Sequence, residues 1–245
     1  MNKNTLLSFV DKYSLNGSVE SVKWTVSKNE NKIKTSSITD DKSVLAFVTI
    51  KDSAGLEDAE FGVNDTSKLK KMSTVLDDEV NISLDYYNSK ITSVTLRDTK
   101  SEVQYVTSDI SVIPVVPNLK KLPTFNLEIP LTKEFVSAFV KAKGALSDIN
   151  NFTILKDKKD KLKLVIGYSN TNCNRISLDL KPIEGKDTIA APIHFSAKYL
   201  KEILTSNSDC ENSVLKISDG GLAEVNFENE KFSSDYYLLA IKNID

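Results

Sequence analysis

The spacing of apolar residues divides the chain into short helices and many strands. Leu6, Leu7, Val10 and Tyr13 recur at helical intervals near the start, which predicts a helix with one apolar face. The pattern then changes to alternation in residues 19–27, 32–39 and 44–51, with Asn-Gly, Asn-Glu-Asn and Asp-Asp turn signals between them, and so predicts half-buried strands. After residues 59–63, a second short helix is expected. Asp65 is its N-cap, and Leu69, Met72 and Leu76 face inward. Strands at 80–86, 92–96 and 102–107 complete this half.

The same order then recurs. Residues 127–129 read as a strand, and Thr132 caps a helix bearing Phe135, Val136, Phe139 and Ala142. Residues 152–155, 161–168, 175–180 and 188–193 read as strands. Ser196 caps a helix with Tyr199, Leu200, Ile203 and Leu204 inward, and residues 214–217, 223–227 and 236–241 are the last strands. A repeat of this length predicts two similar domains, at 1–111 and 124–245. Between them, residues 112–123 carry Pro114, Pro117 and Pro123, which excludes helix and central strand and predicts an extended connector. Its apolar content suits a segment packed along a surface. The fold class is α+β, with two helices packed on antiparallel sheet in each half.

The chemistry of catalysis is sparse. His194 is the chain's single histidine, so a two-histidine metal site is impossible and a histidine-based triad has only one candidate. Placed just before a helix, His194 reads as structural. No phosphate-binding glycine motif or nucleophile elbow occurs, and Gly220-Gly221 reads as a hairpin turn. Asp40-Asp41, Glu57-Asp58 and Asp77-Asp78 sit among turn residues, where carboxylates are commonly solvated turn formers. Cys173 and Cys210 lack metal or redox spacing and read as reduced thiols. No apolar run is long enough to span a bilayer, and no start resembles a signal peptide. These features predict a soluble intracellular protein that needs no cofactor or metal and is not an enzyme.

Net charge alone, −2 at pH 7, argues against a nucleic-acid partner, but its distribution argues for one. At 100° per residue, Lys12 lies opposite the apolar stripe of the first helix. Lys70 and Lys71 lie away from that of the second, Lys141 from that of the third, and Lys198 and Lys201 from that of the fourth. Each alone reads as a solvated helix face; recurrence on four helices of an acidic chain predicts a basic strip. Asp11, Glu134 and Glu202 dilute it. Arginine is confined to Arg97 and Arg175, so contact with phosphates is expected and base readout is not.

Three stretches carry a likeness to a known family: residues 4–16; Ala59-Glu-Phe-Gly-Val-Asn-Asp65 with the helix up to Leu76; and Ser234-Asp-Tyr-Tyr-Leu-Leu-Ala-Ile-Lys242. With the repeat and the proline-containing connector, they resemble the DNA sliding clamps, those of the proliferating cell nuclear antigen type and, more closely, those of T4-like phages. One departure is that Ile241, not proline, follows Ala240. The resemblance implies a ring of two-domain subunits, most often three, that encircles duplex DNA without sequence preference. It also implies opening by an ATP-dependent clamp loader and tethering of a replicative DNA polymerase as processivity factor, in the cytoplasm or, for a phage protein, the host's. Leu45, Ile113, Val115, Val116, Leu119, Leu239 and Ile241 match positions lining the family's peptide groove; plain core packing is the other reading of each. The rivals are a β-rich structural phage protein that does not bind DNA, a hydrolase using carboxylates, and a single-strand-binding protein. The last needs exposed aromatic platforms, which inward-facing aromatics do not supply.

Overall fold

A computed structural model describes residues 1–119, 121–169, 173–211 and 213–241; Lys120 of the connector and Lys242 of the final stretch lie outside them. Two compact units result. One comprises Met1–Pro117 with Glu228–Ser234, the other Asn118–Phe227 with the residues from Asp235 onward.

In the first unit, helix α1 (Lys3–Ser14) is followed by strands β1 (Val22–Ser27), β2 (Lys32–Ile38), β3 (Val44–Ile50) and β4 (Ala59–Val63), then helix α2 (Thr66–Ser73) and strands β5 (Asn81–Tyr87), β6 (Lys90–Arg97) and β7 (Glu102–Val106). In the second, strand β8 (Leu127–Pro130) precedes helix α3 (Lys133–Ala145). Strands β9 (Asn151–Lys156), β10 (Leu162–Ile166), β11 (Ile176–Asp179) and β12 (Ile193–Ser196) follow, then helix α4 (Ala197–Ser206) and strands β13 (Val214–Ile217), β14 (Leu222–Glu228) and β15 (Phe232–Leu239), whose connecting hairpin tip, Glu228–Ser234, belongs to the first unit.

The repeat extends to sheet topology. Strands run β4-β1-β2-β3 in the first unit and β12-β9-β10-β11 in the second, so the fourth strand lies beside the first in both. The remaining strands run in the orders β5-β6-β7 and β8-β13-β14-β15. The position of β8 is taken in the first unit by a single bridge, Asn2 to Glu79, continued by Val80 N–H donating to the Met1 carbonyl.

Local chemistry sets the helix starts. Asp65 accepts from the Lys68 N–H at 2.7 Å, Thr132 from Phe135 at 3.2 Å and Ser196 from Tyr199 at 3.2 Å, each satisfying an otherwise unpaired first-turn donor. Helix α1 ends at Leu15, whose left-handed conformation (φ 46°) turns the chain out while its N–H caps Asp11. Aromatic clusters fill the cores: Phe9 and Phe61 pack on Trp24 at 5.1 and 5.5 Å, and Phe139 and Phe195 on Phe152 at 5.7 Å. Tyr105 of β7 fixes the start of α2, accepting from the Asp65 N–H and donating to Asn64.

Several sequence expectations shift; the last strand, expected at 236–241, is Phe232–Leu239, and Ala240 and Ile241 lie beyond it. Residues 188–192 are not a strand; β12 begins only at Ile193, after Pro192, which has no N–H for the ladder. Residues 175–180 shorten to Ile176–Asp179. The connector starts with a 3-10 turn at Ile110–Val112, beyond which its described residues form neither helix nor strand. At Gly62 a side chain would meet Ser108 Oγ at 2.4 Å, so glycine there permits the backbone bridge between them.

Candidate nucleic-acid interface

Each unit presents one pair of packed helices, α1 with α2 and α3 with α4. Counting from the caps sets their equivalence. Seven residues after Asn2 and Thr132 come Phe9 and Phe139, both wholly buried; four after Asp65 and Ser196 come Leu69 and Leu200, also buried.

The expected lysines divide sharply. Lys71, Lys141 and Lys198 are exposed, and Lys70 and Lys201 are half-buried. Lys12 is the exception and corrects the sequence reading: it is wholly buried, with its ammonium 4.8 Å from the centre of the Phe232 ring. The last turn of α1 buries Val10, Tyr13 and Ser14 beside it, so the face opposite the apolar stripe is covered there and Lys12 offers no charge to solvent. Its stem packs as a hydrophobe and its head makes a cation–π contact.

Lys70 is paired across to Asp11 of α1. Among the described residues no ion pair engages Lys71, Lys141, Lys198 or Lys201, and the Lys198 ammonium lies 5.4 Å from the Tyr199 ring centre. Sequence reasoning missed two lysines. Lys68 is exposed on α2 beside Lys71. Lys143 is buried and donates to the Leu146 and Ser147 carbonyls at 3.3 and 2.8 Å, closing the C-terminus of α3 where a cation is favoured. Burial, then the nearby Lys201 ammonium, lowers its pKa from the ordinary lysine value. Four residues after Phe139 and seven after Val136, it shares the apolar side of the helix, so periodicity gives no signal for it.

The groove candidates vary as much. In the first unit Leu45 and Ile113 are buried, Val116 is half-buried and Val115 is 91% exposed. In the second, Leu119 and Leu239 are exposed, and half-buried Ile241 donates its N–H to the His194 carbonyl at 2.8 Å. His194 is structural: its Nδ1 lies 2.7 Å from Thr153 Oγ1, and burial lowers its pKa. Among the described residues, no three His, Cys, Asp or Glu side chains are grouped to hold a metal, and no helix is long and apolar enough to cross a membrane.

Among the described residues, strand β7 pairs only with β6, and β11 only with β10, within their own units. Beside β11 lies a cavity of about 810 Å³ lined by Ile129, Phe135, Ala138 and Leu178, with Lys163 and Asp179 among the polar groups.

Two duplicated units, each a helix pair on antiparallel strands with one conserved strand order, define the sliding-clamp fold. Solved structures bear this out. The proliferating cell nuclear antigen of Archaeoglobus fulgidus, described as "A. fulgidus PCNA" bound to the C-terminal region of FEN-1, matches with TM-score 0.72 at 15% identity over 100% of this chain and 98% of its own. That of Entamoeba histolytica matches with TM-score 0.72 at 17% identity over 98% and 96%. A PCNA2–PCNA3 complex from Sulfolobus tokodaii matches with TM-score 0.70 at 14% identity over 98% and 97%. No sequence-family profile matches the chain. No curated protein matches it by sequence either.

Proposed function

We propose that the protein is a DNA sliding clamp: a ring that encircles duplex DNA and tethers a replicative polymerase as a non-enzymatic processivity factor, in the cytoplasm of the cell or of a phage's host. The observation that carries this reading is whole-chain: the duplicated fold matches a solved clamp subunit with TM-score 0.72 over 100% of this chain. A closed ring holds DNA by linkage. Exposed lysines then need only attract the phosphates, without reading bases, and a weak peptide contact gains residence through tethering.

Ring closure is proposed to join the open edge of β7 in one copy to that of β11 in the next, with Val106 (71% exposed) entering the apolar cavity beside β11. Unpaired edges are otherwise a liability, and a head-to-tail contact closes when its rotation permits. Three subunits and an ATP-dependent loader are part of the proposal. So is a partner-peptide groove drawn from Leu45, Ile113, Val115, Val116, Leu119, Leu239 and Ile241.

Multi-angle light scattering tests assembly. A discrete small oligomer that Val106→Asp dissociates supports the ring. A strict monomer at micromolar concentration overturns it, and open polymers favour the structural-protein reading. For the groove, Val116→Asp with Ile241→Asp is expected to abolish binding of the cognate polymerase's C-terminal peptide while the oligomer persists. Undiminished peptide binding places the groove elsewhere.

A further inference from the structure

The two helix pairs have the same geometry but opposite electrostatics at one site. Asp11 and Lys141 are equivalent, each nine residues after its helix cap, and Lys70 and Lys201 are equivalent, each five after. In the first unit the facing pair is therefore Asp11 with Lys70, and these form an ion pair. In the second unit the same two positions hold Lys141 and Lys201. The carboxylate has become an ammonium, and no ion pair engages either lysine among the described residues. Lys143, buried in the last turn of α3, adds a further positive charge close enough to Lys201 to be perturbed by it, with Asp148 acting on it in the opposite sense. Lys198 stands exposed one turn before Lys201. Glu202 is the acidic neighbour on α4, and it is half-buried.

We propose that the phosphate-binding surface is uneven: Lys141, Lys198 and Lys201 of the second unit grip the DNA backbone, whereas in the first unit Asp11 occupies Lys70 and loosens the hold. This rests on the reading that the helix faces meet duplex DNA, and it says which unit supplies the contact. A concentrated patch of unpaired ammonium groups stores the repulsion that a polyanion relieves, and each lysine seated on a phosphate releases condensed counterion. An ammonium already held by a carboxylate gains less from a phosphate, because it must first surrender its partner. Lys71 and Lys68 remain available in the first unit, so its contact is reduced, not absent.

The experiment compares repeat-related variants of the intact protein: Lys70→Ala, Lys201→Ala, Asp11→Asn and the double variant Asp11→Asn/Lys70→Ala. Binding to a short fluorescein-labelled linear duplex is followed by anisotropy across a salt series, with thermal unfolding confirming that each variant is folded. One phosphate contact contributes a slope of about 0.9 in log affinity against log salt, which is about a 3-fold change over a fourfold salt increase. Lys201→Ala is expected to lose that salt sensitivity and Asp11→Asn to gain it. Lys70→Ala and the double variant are expected to match the wild type. Equal losses in Lys70→Ala and Lys201→Ala overturn the proposal. So does a double variant that binds as tightly as Asp11→Asn, since Asp11 then acts through its own charge and not through Lys70. If even the combined Lys71→Ala, Lys141→Ala, Lys198→Ala and Lys201→Ala variant binds duplex unchanged, the helix faces are not the DNA side and the underlying reading falls with it.

Discussion

Replacing Lys12 distinguishes a buried lysine from a DNA contact, and the structure sets the size of the effect. Lys12→Ala removes three methylenes from a wholly buried stem. At about 0.8 kcal/mol for each, this costs about 2.4 kcal/mol. Loss of the contact with the Phe232 ring adds about 0.5–2 kcal/mol, so the substitution is expected to destabilise the first unit by about 3–4 kcal/mol. Lys12→Met keeps most of the stem and removes the ammonium, so it is expected to cost less than Lys12→Ala. Trp24 of β1, the single tryptophan, is buried 5.1 Å from Phe9 of the helix that carries Lys12, and its fluorescence during urea unfolding reports on this unit. Folded Lys12→Met is expected to bind duplex DNA like the wild type. A stability change below about 0.5 kcal/mol, the usual range for exposed substitutions, with weakened DNA binding, would refute the buried placement.

In the second unit Phe139→Ala should cost about 3–5 kcal/mol in urea unfolding, as a fully buried aromatic at the centre of its cluster; a cost under 1 kcal/mol would show that the core is not formed around it. His194 gives the only imidazole resonance in the chain, and its pKa by proton NMR should lie below the ordinary value. Because the folded state resists that proton, the unfolded state binds it first as pH falls. Stability should therefore decline as pH drops through the ordinary imidazole range and hold steady above it; a raised pKa would reverse this slope. Gly62→Val should separate β4 from Ser108 and lower the unfolding midpoint, whereas an unchanged midpoint would mean that the bridge is dispensable.

What the sequence disclosed depended on how local each determinant was. The caps Asp65, Thr132 and Ser196 act on N–H groups three residues away, and the inward faces of the helices follow from periodicity, so both were legible. The repeat emerged because two halves solve one packing problem with one order of elements. Lys12 was misplaced because Phe232, which covers it, lies far along the chain, and a helical wheel has no view of such a neighbour. The Asp11–Lys70 pair was equally hidden: both residues were visible as surface charges, but their meeting depends on how α1 packs against α2. Pro192 interrupts the strand expected over residues 188–193 because it has no N–H for the ladder, a local signal that the sequence carries.

The contact between Lys12 and Phe232 also has a consequence in time. The first unit is built from Met1–Pro117 together with the hairpin tip Glu228–Ser234, so its last piece is synthesised only after most of the second unit. At ordinary ribosomal speeds the wait is on the order of 10 s. During it α1 is present but Lys12 lacks the ring that covers it. The nascent first half is therefore an incomplete object that cannot finish ahead of the second, and truncation within the connector would yield not an isolated domain but one with an open seam beside α1.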